Sequence, residues 1–340
     1  MSNKQDLLIE IGTEELPPKS LKRLASAFHQ EICNSLKEYD LVFSEASWFA
    51  TPRRLAVIIK QLDMSQPDTQ QQRRGPAISA AFDNDGKPTR ATIGFAKSCG
   101  IAVDQLKKME TEKGSWLVFD TLAKGKQTYE LIPDTINIAL KHLPIAKRMR
   151  WGNNDFEFVR PIKWILLLLG TETVDCEIMG VKSGKHSYGH RFHHPESINI
   201  INASDYVKRL KQNGKVIADY DERCFLIKEQ IKKLAIESNG TAVINPQLLD
   251  EVTALVEWPI SFVGNFNSDF LKLPKEVLIA SMQDHQKYFP MLDKQKNLLA
   301  SFICVTNIES KQPDLIKQGN ERVIQPRLSD AAFFWQRDLK

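Results

Sequence analysis

The sequence lacks most features that would announce a function directly. Its longest apolar run, Trp164 to Leu169 (WILLLL), is six residues, far short of the ~20 needed to cross a bilayer, and reads instead as a buried strand. The amino terminus, Met1, Ser2, Asn3, Lys4 and Gln5, is polar, without the apolar stretch and small-residue cleavage site of a secretory signal. Cysteine is sparse: Cys33, Cys99, Cys176, Cys224 and Cys304 are odd in number and far apart. That spacing fits neither a disulfide framework nor paired zinc ligands, and it suits a reducing cytoplasm. Charge of either sign is not in large excess, with 46 Lys and Arg against 42 Asp and Glu for a net +4. The total therefore does not mark a nucleic-acid binder, and any such role must come from how the charge is distributed. No glycine-rich phosphate loop, zinc-protease pattern or serine elbow is found, so no nucleotide-activating site is recognisable.

What is present is a globular composition, 42% apolar and 26% charged over 340 residues, long enough to bury a large core and to form more than one lobe. Leu7 to Ile11 reads as a strand. After Pro17 and Pro18, residues Leu21, Leu24, Ala25, Phe28, Ile32 and Leu36 fall at helical spacing. Further strands are expected around Arg54 to Lys60, Trp116 to Thr121 and Lys163 to Leu169, with helices around 91–99 and 128–142. Ser65 to Arg74 (SQPDTQQQRR) is polar and aperiodic and reads as a linker. A short helix from Ser204 ends at Gly214, and a second from Asp221 places Cys224, Ile227, Ile231, Leu234 and Ala235 on one stripe before Gly240. Tyr288 to Leu292 and Leu298 to Thr306 read as a hairpin around a five-residue loop. Ser329 to Lys340 reads as a helix that has just begun, so the natural polypeptide is expected to continue. Strands and helices without regular βαβ alternation predict an α+β fold with mixed or antiparallel sheets. The expected organisation is an N-terminal lobe over 1–203, a helical block over 204–240 and a second strand-rich part over 241–340.

Arginine recurs beside proline, glycine or aromatic residues: FATPRRL (49–55), RRGPAI (73–78), KRMRWG (147–152), FVRPI (158–162) and GHRF (189–192). A guanidinium offers fork-shaped donors and a stackable plane, which suits phosphates and unpaired bases. Arg53, Arg54, Arg148, Arg150, Arg160 and Arg191 are therefore candidate RNA contacts, with phosphates as the expected partners. The alternative is that each forms ion pairs with acids or caps carbonyls. His186, His190, His193 and His194 are the one histidine concentration, but no cysteine or second His pair accompanies them, and no metal site is assigned. Glu14 and Glu15 in GTEELPP could serve acid–base chemistry; adjacent carboxylates just before a helix are more simply explained by its dipole. No catalytic residue is assigned.

Taken in order, IEIGTEELPPKSLKRL (9–24), WFATPRRLAV (48–57), RRGPAI, MRWG (149–152), FVRPI, GHRF, GKVIADYDER (214–223), LVEWP (255–259), QKYFP (286–290), TNIES (306–310) and GNERVIQPRLSDAAFF (319–334) closely resemble the bacterial glycyl-tRNA synthetase β-subunit family along the whole chain. The resemblance implies a heterotetrameric α2β2 ligase that joins glycine to tRNA-Gly using ATP. In that family the α subunit makes the adenylate, with ATP and magnesium expected there, and the β subunit supports tRNA binding and assembly. This chain would bind no cofactor itself and would be inactive alone. It would be the N-terminal half, resembling in part the B3/B4 module of the phenylalanyl-tRNA synthetase β subunit. HD-like and anticodon-binding domains would lie in the absent half. An editing hydrolase module and an assembly scaffold without RNA contact are the rival readings.

Overall fold

The computed structural model describes residues 4–338 apart from 84, 112 and 113. The chain divides into two compact units, one of residues 1–38, 42–63 and 132–340, the other of residues 39–41 and 64–131. Strand β1 (Lys4–Thr13) leads through Pro17 into helix α1 (Pro18–Glu38), followed by β2 (Glu45–Thr51) and β3 (Arg54–Asp63). The second unit then contributes β4 (Thr69–Ala77), α2 (Ile78–Ala81), α3 (Arg90–Cys99), β5 (Lys107–Thr111) and β6 (Gly114–Ala123). Helix α4 (Thr128–His142) leads back to the short strands β7 (Met149–Arg150) and β8 (Glu157–Phe158). Strands β9 (Ile162–Leu169), β10 (Glu172–Thr173), β11 (Glu177–Ile178) and β12 (Val181–Gly184) come next. They precede the hairpin of β13 (His186–Tyr188) and β14 (Ser197–Asn199).

The main sheet has the order β11-β12-β9-β1-β3-β2, with β10 added to β9. It is mixed: β12 runs parallel to β9, and the other neighbours are antiparallel. Because β1 and β9 are central, both of their faces are covered, which is why LLIEI and WILLLL read as continuous apolar runs rather than alternating ones. Helix α1 packs on β2 and β3, burying Leu21, Leu24, Phe28, Ile32 and Leu36. A core containing Leu8, Ile58, Leu166, Leu168, Ile198, Tyr206, Leu210 and Val216 joins β1, β3 and β9 to β14 and α5 (Tyr206–Gln212).

Helix α6 (Tyr220–Glu237) starts on Asp219, whose side chain accepts from the Glu222 N–H, a standard use of Asp at this position. With α7 (Pro246–Thr253) it packs against a four-stranded antiparallel sheet of order β15-β17-β18-β16. These strands are β15 (Thr241–Ala242), β16 (Ile260–Asn265), β17 (Phe289–Leu292) and β18 (Leu298–Thr306), and β17 and β18 form the expected hairpin. Helix α8 (Lys275–Ala280) precedes β17.

Two expectations fail. The polar Ser65–Arg74 stretch is not a linker: Thr69–Arg74 pairs with β6 from Ala123 back to Val118. All six of those side chains are exposed, so no apolar alternation marks the strand, and the backbone ladder holds it. The terminal helix begins far earlier than Ser329, since α9 spans Pro313–Asp338 and continues through Pro326; residues 339 and 340 lie outside the described residues. Among the described residues, no helix is long and apolar enough to cross a membrane.

Candidate functional site

A two-residue turn, Pro52–Arg53, connects β2 to β3, with Thr51 and Arg54 paired across it. Arg53 lies in the turn and Arg54 opens β3, and both guanidinium groups approach the Trp164 ring, at 5.5 and 5.6 Å from its centroid. Arg53 is half-buried, whereas Arg54 has no exposed surface.

Arg54 is consequently corrected from an RNA-contact candidate to a core residue. Its Nε donates to Thr51 Oγ1 at 3.1 Å, Nη1 to Ser187 Oγ at 3.1 Å, and Nη2 to Tyr188 O at 2.9 Å and Glu257 Oε1 at 3.1 Å. Glu10 lies 3.6 Å from Nη1 and itself accepts from Trp164 Nε1, the Ser187 hydroxyl and the Tyr206 hydroxyl. Burial alone would depress the Arg54 pKa, yet Glu257 and Glu10 hold it above its ordinary value. Burial likewise works to raise Glu257, but Arg54 and the Thr51 hydroxyl keep its carboxyl below the usual range. The result is a buried network of Glu10, Arg54 and Glu257 at one end of the core. A second buried guanidinium, Arg223, donates to the carbonyls of Thr253, Ile217 and Ala50 and so ties α6 to the end of β2.

The residues that face outward at this end of the sheet form a cationic rim. Arg191 Nη2 is 3.0 Å from Glu14 Oε2 and Nη1 is 3.5 Å from Glu15 Oε1. Lys163 Nζ is 3.2 Å from Glu14 Oε1, and Arg160 Nε donates to the Glu15 carbonyl at 3.0 Å. Thr13 N–H donates to the Arg53 carbonyl at 2.8 Å, which brings the turn to the same place. Three of the six candidate arginines, Arg53, Arg160 and Arg191, thus converge with Lys163 around Glu14 and Glu15. Partial burial works to raise the Glu14 pKa, but Lys163, Arg191 and Arg53 hold it below the ordinary value. A carboxylate held ionised by cations is a poor proton donor, which disfavours an acid role for Glu14.

Arg53 stands out within the rim. Its guanidinium carbon lies 5.5 Å from the Trp164 ring centroid, and its Nε is buried with no hydrogen-bond partner among the described residues. Arg148 and Arg150 are placed elsewhere, at the β7–β8 hairpin. Arg148 donates to the Lys141 and Glu157 carbonyls, and Arg150 pairs with Glu157 at 3.0 Å and Asp155 at 3.8 Å.

The histidines do separate jobs. His190 is buried, and its Nδ1 accepts from the Phe192 and His193 N–H groups, so the proton of the neutral ring resides on Nε2. Burial pushes its pKa below the ordinary value. His193 Nε2 accepts from Glu309 N–H, His194 approaches Glu196 at 3.5 Å, and His186 is exposed on β13. Among the described residues no group of three His, Cys, Asp or Glu is arranged to hold a metal ion.

The family model of the glycyl-tRNA synthetase beta subunit matches residues 7–340. The chain belongs to this family. It is 51% identical over 338 residues to the glycine-tRNA ligase beta subunit of Hahella chejuensis, covering 99% of this chain and 49% of that protein. It is 52% identical over 337 residues to that of Marinobacter nauticus and 49% identical over 336 residues to that of Colwellia psychrerythraea, at the same coverage. The chain therefore spans about half the length of the curated relatives it matches. In this glycyl-tRNA synthetase β-family chain, five of the segments that carry the resemblance build the site. GTEELPP supplies Glu14 and Glu15, TPRRL supplies Arg53 and Arg54, FVRPI supplies Arg160, GHRF supplies His190 and Arg191, and LVEWP supplies Glu257. Sequence reasoning missed Glu10 and Glu257, although a signal existed: each is a lone carboxylate within an apolar stretch, and a charge buried there requires a partner.

Proposed function

We propose that this half of the β subunit positions tRNA-Gly for charging by glycine-tRNA ligase, while an α subunit carries the adenylate chemistry with its ATP and magnesium. The observation that carries the reading is the convergence of Arg53, Arg160, Arg191 and Lys163, drawn from three separate parts of the sequence, on one rim around Glu14 and Glu15. An excess of guanidinium groups suits phosphate oxygens, which accept paired hydrogen bonds. The buried network of Glu10, Arg54 and Glu257 beneath the rim fixes the strand ends that present it. Arg148 and Arg150 are a lesser contact surface, because Glu157 and Asp155 offset Arg150.

The test separates two steps in the assembled α/β enzyme. Arg53→Ala and Arg191→Ala should leave glycine-dependent ATP–pyrophosphate exchange unchanged and lower kcat/KM for tRNA about tenfold or more, as expected from losing charge-assisted contacts of ~1.5–3 kcal/mol each. Loss of exchange with unchanged tRNA kinetics would contradict the division of labour.

A further inference from the structure

The rim leaves two arginine-rich segments aside, KRMRWG and RRGPAI, and the position of the second is informative. Residues 64–131 form a compact unit whose sheet has the order β4-β6-β5. In β4 the neighbouring arginines point to opposite sides. Arg73 donates to the Ser98 carbonyl at 2.9 Å and lies over Phe95, both on α3, so its side of the sheet is the helix-covered one. Gly75 permits this packing, since a Cβ there would lie 2.4 Å from the Phe95 ring.

Arg74 lies on the other face. The register places it beside Val118, with Gln72 opposite Asp120, Lys107 opposite Val118 and Met109 opposite Trp116. Gln70, Gln72, Arg74, Lys107, Asp120 and Leu122 on this face are all exposed. Gln72 and Lys107 both bond the Asp120 carboxylate, at 2.8 and 3.0 Å, which satisfies that acid and holds the three strands in register. Arg74 is left with no hydrogen bond or ion pair among the described residues; its guanidinium carbon is 3.5 Å from the centroid of the Trp116 ring. Such a stack fixes a flat cation on an open sheet face with its donors and outer plane available.

We infer that this open face is a second RNA contact, a platform on which an unpaired base of tRNA stacks against Arg74 and Trp116. The inference rests on the tRNA-positioning reading proposed above. The chemistry favours RNA over a protein partner: a planar cation without a carboxylate partner fits a base plane and its neighbouring phosphate, and apart from Leu122, the half-buried Met109 and Trp116 and the buried Val118 beneath Arg74 and Lys107 the face is polar, unlike the apolar centre of a stable protein interface.

The experiment measures tRNA affinity of the chain, with melting temperature as the check on folding, for Arg74→Gln, Arg74→Lys, Trp116→Leu and the rim variant Arg53→Ala/Arg191→Ala. Arg74→Gln and Trp116→Leu should each weaken tRNA binding about tenfold, as expected for losing one stacked base. Arg74→Lys should recover only part of the loss, because it restores charge without the plane. In addition, the Trp116 emission, taken as wild type minus Trp116→Phe, should change when tRNA or an oligouridylate is added. If the rim variant weakens binding and the Arg74 and Trp116 variants do not, the platform is wrong and the tRNA-positioning reading stands. If neither weakens it, the reading itself falls. Loss of α-subunit association with unchanged RNA affinity would make the face a protein interface and overturn the inference.

Discussion

Arg54 and Glu257 are 203 positions apart in the sequence and meet at 3.1 Å in the interior, where neither is appreciably exposed. A buried pair of this kind is costly to break, because the survivor stays charged without its partner. Glu257→Ala is expected to destabilise the fold by about 3–5 kcal/mol. The double change Arg54→Ala/Glu257→Ala should cost clearly less than the two single losses added together. Denaturant unfolding measures both, and strict additivity would show that the two residues are not coupled.

The same network predicts acid sensitivity. Glu257 has a folded-state pKa below its ordinary value, so it binds its proton less readily in the folded chain than in the unfolded one. Its stabilisation is present above about pH 4.3, the ordinary Glu value, and is lost as pH falls through the lower folded value. His29 and His190 are depressed by burial, so their contribution begins to be lost below about pH 6.5. Unfolding free energy measured from pH 8 to 3 should fall in two stages. In the His29→Gln/His190→Gln variant the first stage should shrink, and an unaltered profile would contradict the assignment.

Gly12 offers a steric test. A Cβ at this position would lie 1.9 Å from Trp164 Cε2, and the indole is held by its bond to Glu10 and so has little freedom to retreat. Gly12→Ala should cost about 3 kcal/mol, at the upper end for overpacking a core. A melting temperature equal to wild type would mean that the ring moves freely.

Much of the architecture is legible in the sequence because the periodicity is strong. The α1 stripe from Leu21 to Leu36 and the β17–β18 hairpin both follow from spacing alone. Strand β4 is not legible, since its exposed Gln and Arg side chains show no apolar alternation. The start of α9 is hidden because Gly319 and Pro326 are ordinarily helix breakers. At the site, an Arg-rich motif shows that guanidinium groups are concentrated there, but a shift of one residue along the chain decides whether each is structural. Arg53 and Arg54 show this at the rim, as do Arg73 and Arg74 in the second unit. The partners of the buried arginine come from β1, β13 and the segment after α7, and only the folded chain unites them.

The central claim is that the rim contacts tRNA phosphates, and the dependence of tRNA affinity on salt concentration tests it most directly. Each phosphate contact contributes close to one unit to the slope of log affinity against log salt. For the variant with Arg53, Arg160 and Arg191 all changed to Ala, the account predicts weaker binding and a slope shallower by about two to three units, with melting temperature near wild type. An unchanged affinity and slope in that folded variant would contradict it.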